Sequence, residues 1–217
     1  MIIEIQQISK TDDGYKCFCA GENICDVFSP KQAGKAEYFL HFKRTDKHLT
    51  LYWNTLDKTY GKSIKERFTM HILEDKKLVG GIVGSDRKGE QGVYDVEYNG
   101  QKYISYMWDG GKGDDYLCVY DECKTMVAEI RRTKFPQHNY DYYVAFTEKD
   151  DLEELLCLLA VHIDFLVFNH ASYKDEAYGS YGYREGANYY NEDYVKQIAV
   201  REGFDLDKRD AGIFTQN

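Results

Sequence analysis

From residue 1 to about residue 147 the chain is a succession of short apolar or alternating runs broken by turn residues. Alternation of apolar and polar positions marks a strand with one buried face, because successive side chains point to opposite sides. "MIIEIQQIS" alternates weakly, and "GYKCFCAG" and "NICDVFS" are short strand candidates flanking a Gly-Glu-Asn turn. "EYFLHFKRTDKHLTLYW" reads as a hairpin with arms Glu37–Lys43 and His48–Trp53 around a turn at Arg44–Lys47. "RFTMHILEDKKLVGGIVG" is another, turning at Glu74–Lys77. "VYDVEYNGQKYISYMW" is the clearest, since Asn99-Gly100 between alternating runs is the strongest short-range hairpin signal. "YLCVYDECKTMVAEIRR" repeats the logic with a turn at Asp121–Lys124, and "YDYYVAF" adds a last strand. About twelve strands joined mostly by short turns predict an antiparallel meander, hence a barrel or sandwich.

At "TEKDDLEELLCLLAVHIDFLVFNH" the pattern changes to a helix, predicted over Asp151–His170. Asp150 or Thr147 can cap it, and Asp151, Glu153 and Glu154 complement the positive end of its dipole. About twenty residues make it ~30 Å long. The fully apolar run from Leu155 stops at Val161, and His162 and Asp164 then interrupt it. A bilayer span needs ~20 predominantly apolar residues and tolerates ionisable groups poorly. A helix apolar on every side must instead be buried on every side. A closed sheet wrapped around it does that and removes edge strands as well. The predicted fold class is therefore mainly β: a closed antiparallel barrel of about twelve strands around a central buried helix. A short amphipathic helix, "NEDYVKQIAVREG", follows, with Asn191 to cap it and Gly203 to end it, and the last residues read as a surface tail. One domain is expected, with barrel and central helix over 1–170 and a Tyr-rich extension over 171–217.

Composition narrows the function. Hydrophobic residues at 43 % and charged residues at 30 % fit a globular chain, and 20 tyrosines and 11 phenylalanines against 2 prolines favour strands. A net charge of -9 argues against nucleic acid, whose phosphates need a basic footprint. The start, "MIIEIQQISK", lacks the positive region of a signal peptide, so the six cysteines read as reduced thiols and the expected location is cytoplasmic.

Each chemical candidate has a plainer reading that wins. Cys157, His162 and Asp164 look like a nucleophile, a base and an orienter. At ~100° per residue, however, Cys157 and His162 are about 140° apart on the helix, and His162 and Asp164 about 160°. They read as a buried thiol and two polar residues bonded to the sheet, Asp164 to strand backbone or to an Arg or Tyr near one barrel mouth. Cys17, Cys19 and Cys25 lack zinc-type spacing and a fourth ligand. "LVGGIVGSDRKG" lacks the Gly-Lys-Ser/Thr ending of a phosphate loop, so its glycines should admit a close backbone, the central helix being the first candidate. "WDGGKGDD" lacks the alternating aspartates of a calcium loop and reads as a hairpin loop. No catalytic residue, metal or cofactor is expected. The Tyr-rich stretch is locally acidic and therefore suits a protein contact, with Tyr178, Tyr181, Tyr183, Tyr189 and Tyr190 as the candidate interaction surface.

The segment Ala160–Phe168, "AVHIDFLVF", resembles the C-terminal helix of phospholipid scramblases and the related tubby-like and LURP-one-related proteins. Upstream, "RFTMHILEDKKLVGGIVG" and "YLCVYDECKTMVAEIRRTKF" are similar to hairpins of that family. The resemblance covers roughly residues 1–170 and is strongest from Arg67. It implies a twelve-stranded antiparallel barrel threaded by that helix, with membrane-facing or phosphoinositide-binding roles in some members. Binding of the tubby type implies grouped basic residues, for which Lys62, Lys65, Arg67, Arg131, Arg132 and Lys134 are the candidates. The scramblases' proposed calcium segment has its counterpart in Glu148, Asp150, Asp151, Glu153 and Glu154, but the spacing differs and carboxylates at a helix start need no metal. The expected function is non-enzymatic: a binding or scaffold protein presenting a surface to a protein or small ligand. The alternative is peripheral binding to phosphoinositides or anionic phospholipids.

Overall fold

A computed structural model describes residues 1–9, 14–29, 35–54, 70–84, 92–109, 115–134, 141–164 and 189–206. Twelve strands form one closed antiparallel barrel. They are β1 (Ile2–Ser9), β2 (Gly14–Cys19), β3 (Glu22–Phe28), β4 (Lys35–Phe42), β5 (Lys47–Asn54) and β6 (Met70–Glu74). The second half is β7 (Lys77–Gly84), β8 (Val93–Tyr98), β9 (Gln101–Asp109), β10 (Asp115–Asp121), β11 (Met126–Lys134) and β12 (Asp141–Thr147). Every strand pairs with its neighbours in sequence, and β1 closes the ring on β12 with Ile3 opposite Ala145. The terminal amino group of Met1 donates to the Thr147 carbonyl at 2.8 Å and extends that seam.

The turns explain the register. Asn99 and Gly100 take φ of 50° and 76°, the left-handed pair of a two-residue hairpin whose twist matches its strands. Ala20 and Gly21 do the same at 51° and 79°, so the first tight turn falls one residue before the Gly-Glu-Asn expected for it. At Gly80 the requirement is space. A Cβ there would lie 2.1 Å from the Glu97 carbonyl oxygen, so the close backbone is that of β8 and not the helix.

Alternation along the strands yields two buried clusters on opposite faces of the sheet. The larger joins residues such as Ile3, Tyr15, Leu40, Leu51, Ile72, Val96, Val119, Ile130 and Ala145 to Leu152, Leu155–Val161 and Ile163. These last belong to a 3₁₀ turn (Asp150–Leu152) and to α1 (Glu153–Ile163), whose residues 155–163 are all buried. Burying one such side chain stabilises by about 2 kcal/mol. No side chain caps α1. Thr147, an expected cap, instead donates to the Val127 carbonyl at 2.8 Å and accepts from the Lys149 amide at 3.0 Å. Helical geometry reaches Asp164, and the expected continuation to His170 lies outside the described residues.

The smaller cluster uses the opposite face of the strands from β8 to β12. There Tyr106, Cys118, Tyr120, Tyr142, Val144 and Phe146 meet α2 (Glu192–Glu202) through Tyr194, Val195, Ile198 and Ala199. Both expected ends of α2 are present: the Asn191 side chain accepts from the Asp193 amide, and Gly203 takes φ 66°. Tyr194 fixes the helix to the barrel by donating to the Val127 carbonyl at 2.6 Å. No helix among the described residues is long and apolar enough to cross a membrane.

Candidate functional site

Cys157, His162 and Asp164 have different partners: two thiols, a thioether and a ring, and two phenols. The Cys157 thiol faces Cys17 and Cys25, which oppose one another on β2 and β3. Hydrogen bonds from Cys157 and Cys17 make Cys25 the most acidic of the three, whereas Cys157 is raised by its two thiol neighbours and by burial. His162 Nδ1 sits 2.9 Å from the Met70 sulfur and the ring stands edge-on to Tyr94, with centroids 5.1 Å apart. Its Nε2 has no hydrogen-bond partner among the described residues. Burial lowers the His162 pKa to about 3, so the ring is neutral. Asp164 accepts from the phenols of Tyr15 and Tyr143, the tyrosine partnership expected for it. Burial, then the Asp164 charge, raises the Tyr15 phenol well above its usual range.

Of the basic candidates, Lys62, Lys65 and Arg67 lie outside the described residues, as does the Lys134 side chain. Arg131 sits on β11 and forms an ion pair with the fully buried Glu129, its guanidinium also packing over the Tyr116 ring at 5.0 Å. Burial opposes that charge and Glu129 outweighs it, so the guanidinium pKa rises further. Arg132, on the other face, is 7 % exposed. Of the tyrosines, Tyr178, Tyr181 and Tyr183 lie outside the described residues. Tyr189 and Tyr190 are half-buried against the smaller cluster, and Tyr189 accepts from Lys124 Nζ at 2.8 Å. The loop of "WDGGKGDD" also lies outside, although Asp109 and Asp115 pair at its base as a hairpin requires.

A concave site that the sequence reading missed lies over β6 to β9, a groove of about 750 Å³. The strand register sets one transverse row of it: His71 opposes Gly81, Gly81 opposes Glu97, and Glu97 opposes Lys102. With strands ~4.8 Å apart, Gly81 leaves a bare step between an imidazole and a carboxylate. Val79 and Val83, two residues either side of Gly81, make an apolar floor, and Asp95 adds a second carboxylate opposite Val83. Leu78, 65 % exposed, stands at one end. Apolar floor and polar rim are the arrangement of a ligand site, and its two carboxylates outnumber Lys102 by one, which leaves it slightly negative. The Gly-Gly pair was the available signal: in an alternating strand, one glycine of such a pair must fall on each face.

Comparison with family models, with curated proteins and with solved structures finds no match to this chain.

Proposed function

We propose that this chain is a non-enzymatic binding protein built as a tubby-like barrel, with α1 as its central plug and the groove over Gly81 as its interaction surface. The observation that carries this reading is the row His71, Gly81, Glu97 and Lys102 set across four strands by their register. Support for α1 as plug comes from its contacts around the ring: described partners of its side chains and of the following Asp164 include residues on β2, β3, β5, β6, β8 and β12. The similarity of "AVHIDFLVF" and its upstream hairpins to the tubby-like and scramblase families agrees with that arrangement. The groove suits a partner offering an apolar side chain next to a cation, and the net charge of -9 draws such a partner in.

Selection of short peptides on the immobilised protein tests the reading. Peptides enriched in Lys or Arg beside apolar residues are expected, with binding lost in the double variant Asp95→Lys, Glu97→Lys. Equal binding to that variant would sink the groove as the site. Pelleting with anionic liposomes at low salt, unaffected by the same variant, would favour the peripheral-membrane alternative and its basic residues instead.

A further inference from the structure

The β4–β5 hairpin carries a second, separate constellation. His41 and His48 are directly opposed across the two strands. Their rings stack in parallel, with centroids 4.3 Å apart and planes within 6°. Asp46, in the connecting turn, has a left-handed backbone with φ 52°. One carboxylate oxygen lies 2.9 Å from His41 Nε2 and 3.9 Å from His48 Nε2. The three ligand atoms all fall within 4.8 Å of one another.

The charges around this group matter as much as its geometry. The turn is basic, yet each of its cations is engaged elsewhere. Lys43 pairs with Asp26 at 3.0 Å. Arg44 pairs with Glu22 at 2.7 Å and with Glu153 at 2.8 Å. Lys47 pairs with Glu154 at 2.8 Å and with Glu74 at 3.6 Å. The Asp46 carboxylate, 87 % exposed, is left to the two imidazoles.

We propose that His41, Asp46 and His48 form a divalent transition-metal site, with zinc the ion that suits it best. Two imidazole nitrogens and one carboxylate oxygen are borderline donors that zinc accepts at ~2.0–2.2 Å. Strand pairing already brings the two histidines together, and the three ligand atoms start within reach of one ion. Three protein ligands leave an open position for water or for a donor from a partner molecule. The site stands apart from the groove over Gly81 and does not depend on it.

Zinc titration of the reduced 217-residue chain by calorimetry tests this. One zinc per chain is expected, with affinity falling at least about tenfold in His41→Ala and in His48→Ala, and less in Asp46→Asn. The six thiols are rival ligands, so cobalt(II) serves as the spectroscopic probe. Weak ligand-field absorption lost in the histidine variants, without thiolate-to-metal charge transfer, supports the site. Strong thiolate charge transfer that survives in His41→Ala/His48→Ala places the metal on cysteines and overturns the proposal, as does the absence of zinc binding. Because His48 is exposed and His41 is half-buried, the variants should unfold within a few degrees of the parent without metal, and only the parent should gain thermal stability on adding zinc.

Discussion

The two ends of α1 carry ionisable side chains and treat them in opposite ways. At the start, Glu153 and Glu154 meet cations from the β4–β5 hairpin: Arg44 bridges Glu22 and Glu153, and Lys47 reaches Glu154 and the Tyr98 hydroxyl. At the far end, Asp164 takes its hydrogen bonds from the phenols of Tyr15 and Tyr143, and His162 is neutral between Met70 and Tyr94. Access to water separates them. Arg44 is 39 % exposed, whereas His162 and Asp164 are fully buried. Near water a full ion pair costs little to form and contributes little; in the core each polar group must be matched atom by atom or held neutral.

The most damaging change at the buried end is Asp164→Ala. It removes a buried acceptor that takes hydrogen bonds from two phenols, each worth about 2 kcal/mol, so a loss of about 4 kcal/mol is expected in urea unfolding. Tyr143→Phe, which removes one donor and leaves Tyr15 in place, should cost about a third of that. If Asp164→Ala unfolds at the parent's urea midpoint, the far end is not the matched polar site described above.

Acid attacks the same end through His162. Its pKa is 6.5 unperturbed and about 3 in the fold, so between those values the unfolded chain binds the extra proton. Stability therefore falls with decreasing pH across that window, by about 1.4 kcal/mol per unit, or about 3 kcal/mol by two units below 6.5. His162→Leu should flatten this slope, and an unchanged slope would mean that other groups set the acid limit.

The rim answers to base instead. Burial works against the Lys47 charge, but bonds to Glu154 and Tyr98 outweigh it and raise its pKa above the usual 10.5. A raised lysine contributes its full stabilisation below its unfolded pKa and loses it as pH climbs through the folded one. Tyr98 is itself pushed up to about 12, by burial first and then by its bond to Glu154. Lys47→Met should cost about 1.5 kcal/mol at neutral pH and remove part of the loss of stability in base. The opposite pH directions are the sharpest test of the contrast between the two ends.

What could be read in the sequence divides along the same line, between local and long-range causes. Asn99-Gly100 fixes its hairpin by backbone chemistry alone, and Asn191 and Gly203 mark α2 because caps are local. Alternation within "VYDVEY" puts Tyr94, Val96 and Tyr98 on the core face and exposes Asp95 and Glu97. That Asp164 must have a partner, whether strand backbone, an Arg or a Tyr, followed from the cost of a lone buried carboxylate. The particular tyrosines did not, since Tyr15 lies 149 residues away in sequence. The crowding of Gly80 by β8 rather than the helix, and the meeting of Cys157 with Cys17 and Cys25, have no local signal because both depend on how the barrel closes. The pairing of Arg131 with Glu129 was within reach: residues two apart on a strand share a face.

The smallest effect is expected at Arg44. Its guanidinium donates three hydrogen bonds to Glu22 and Glu153, so a tally of charged hydrogen bonds would rank it first at the rim. Exposure reverses that ranking. Water already solvates both carboxylates and the guanidinium when apart, and fixing a long side chain costs rotamer entropy. Arg44→Ala should lower stability by about 0.5 kcal/mol in dilute buffer and by less at ~1 M salt, where screening shortens to a few ångströms. Asp164→Ala should show no such salt dependence, because its phenol bonds lie beyond the reach of ions. A salt-insensitive loss above about 2 kcal/mol at Arg44 would mean that the rim is as dry as the core and would erase the difference between the two ends.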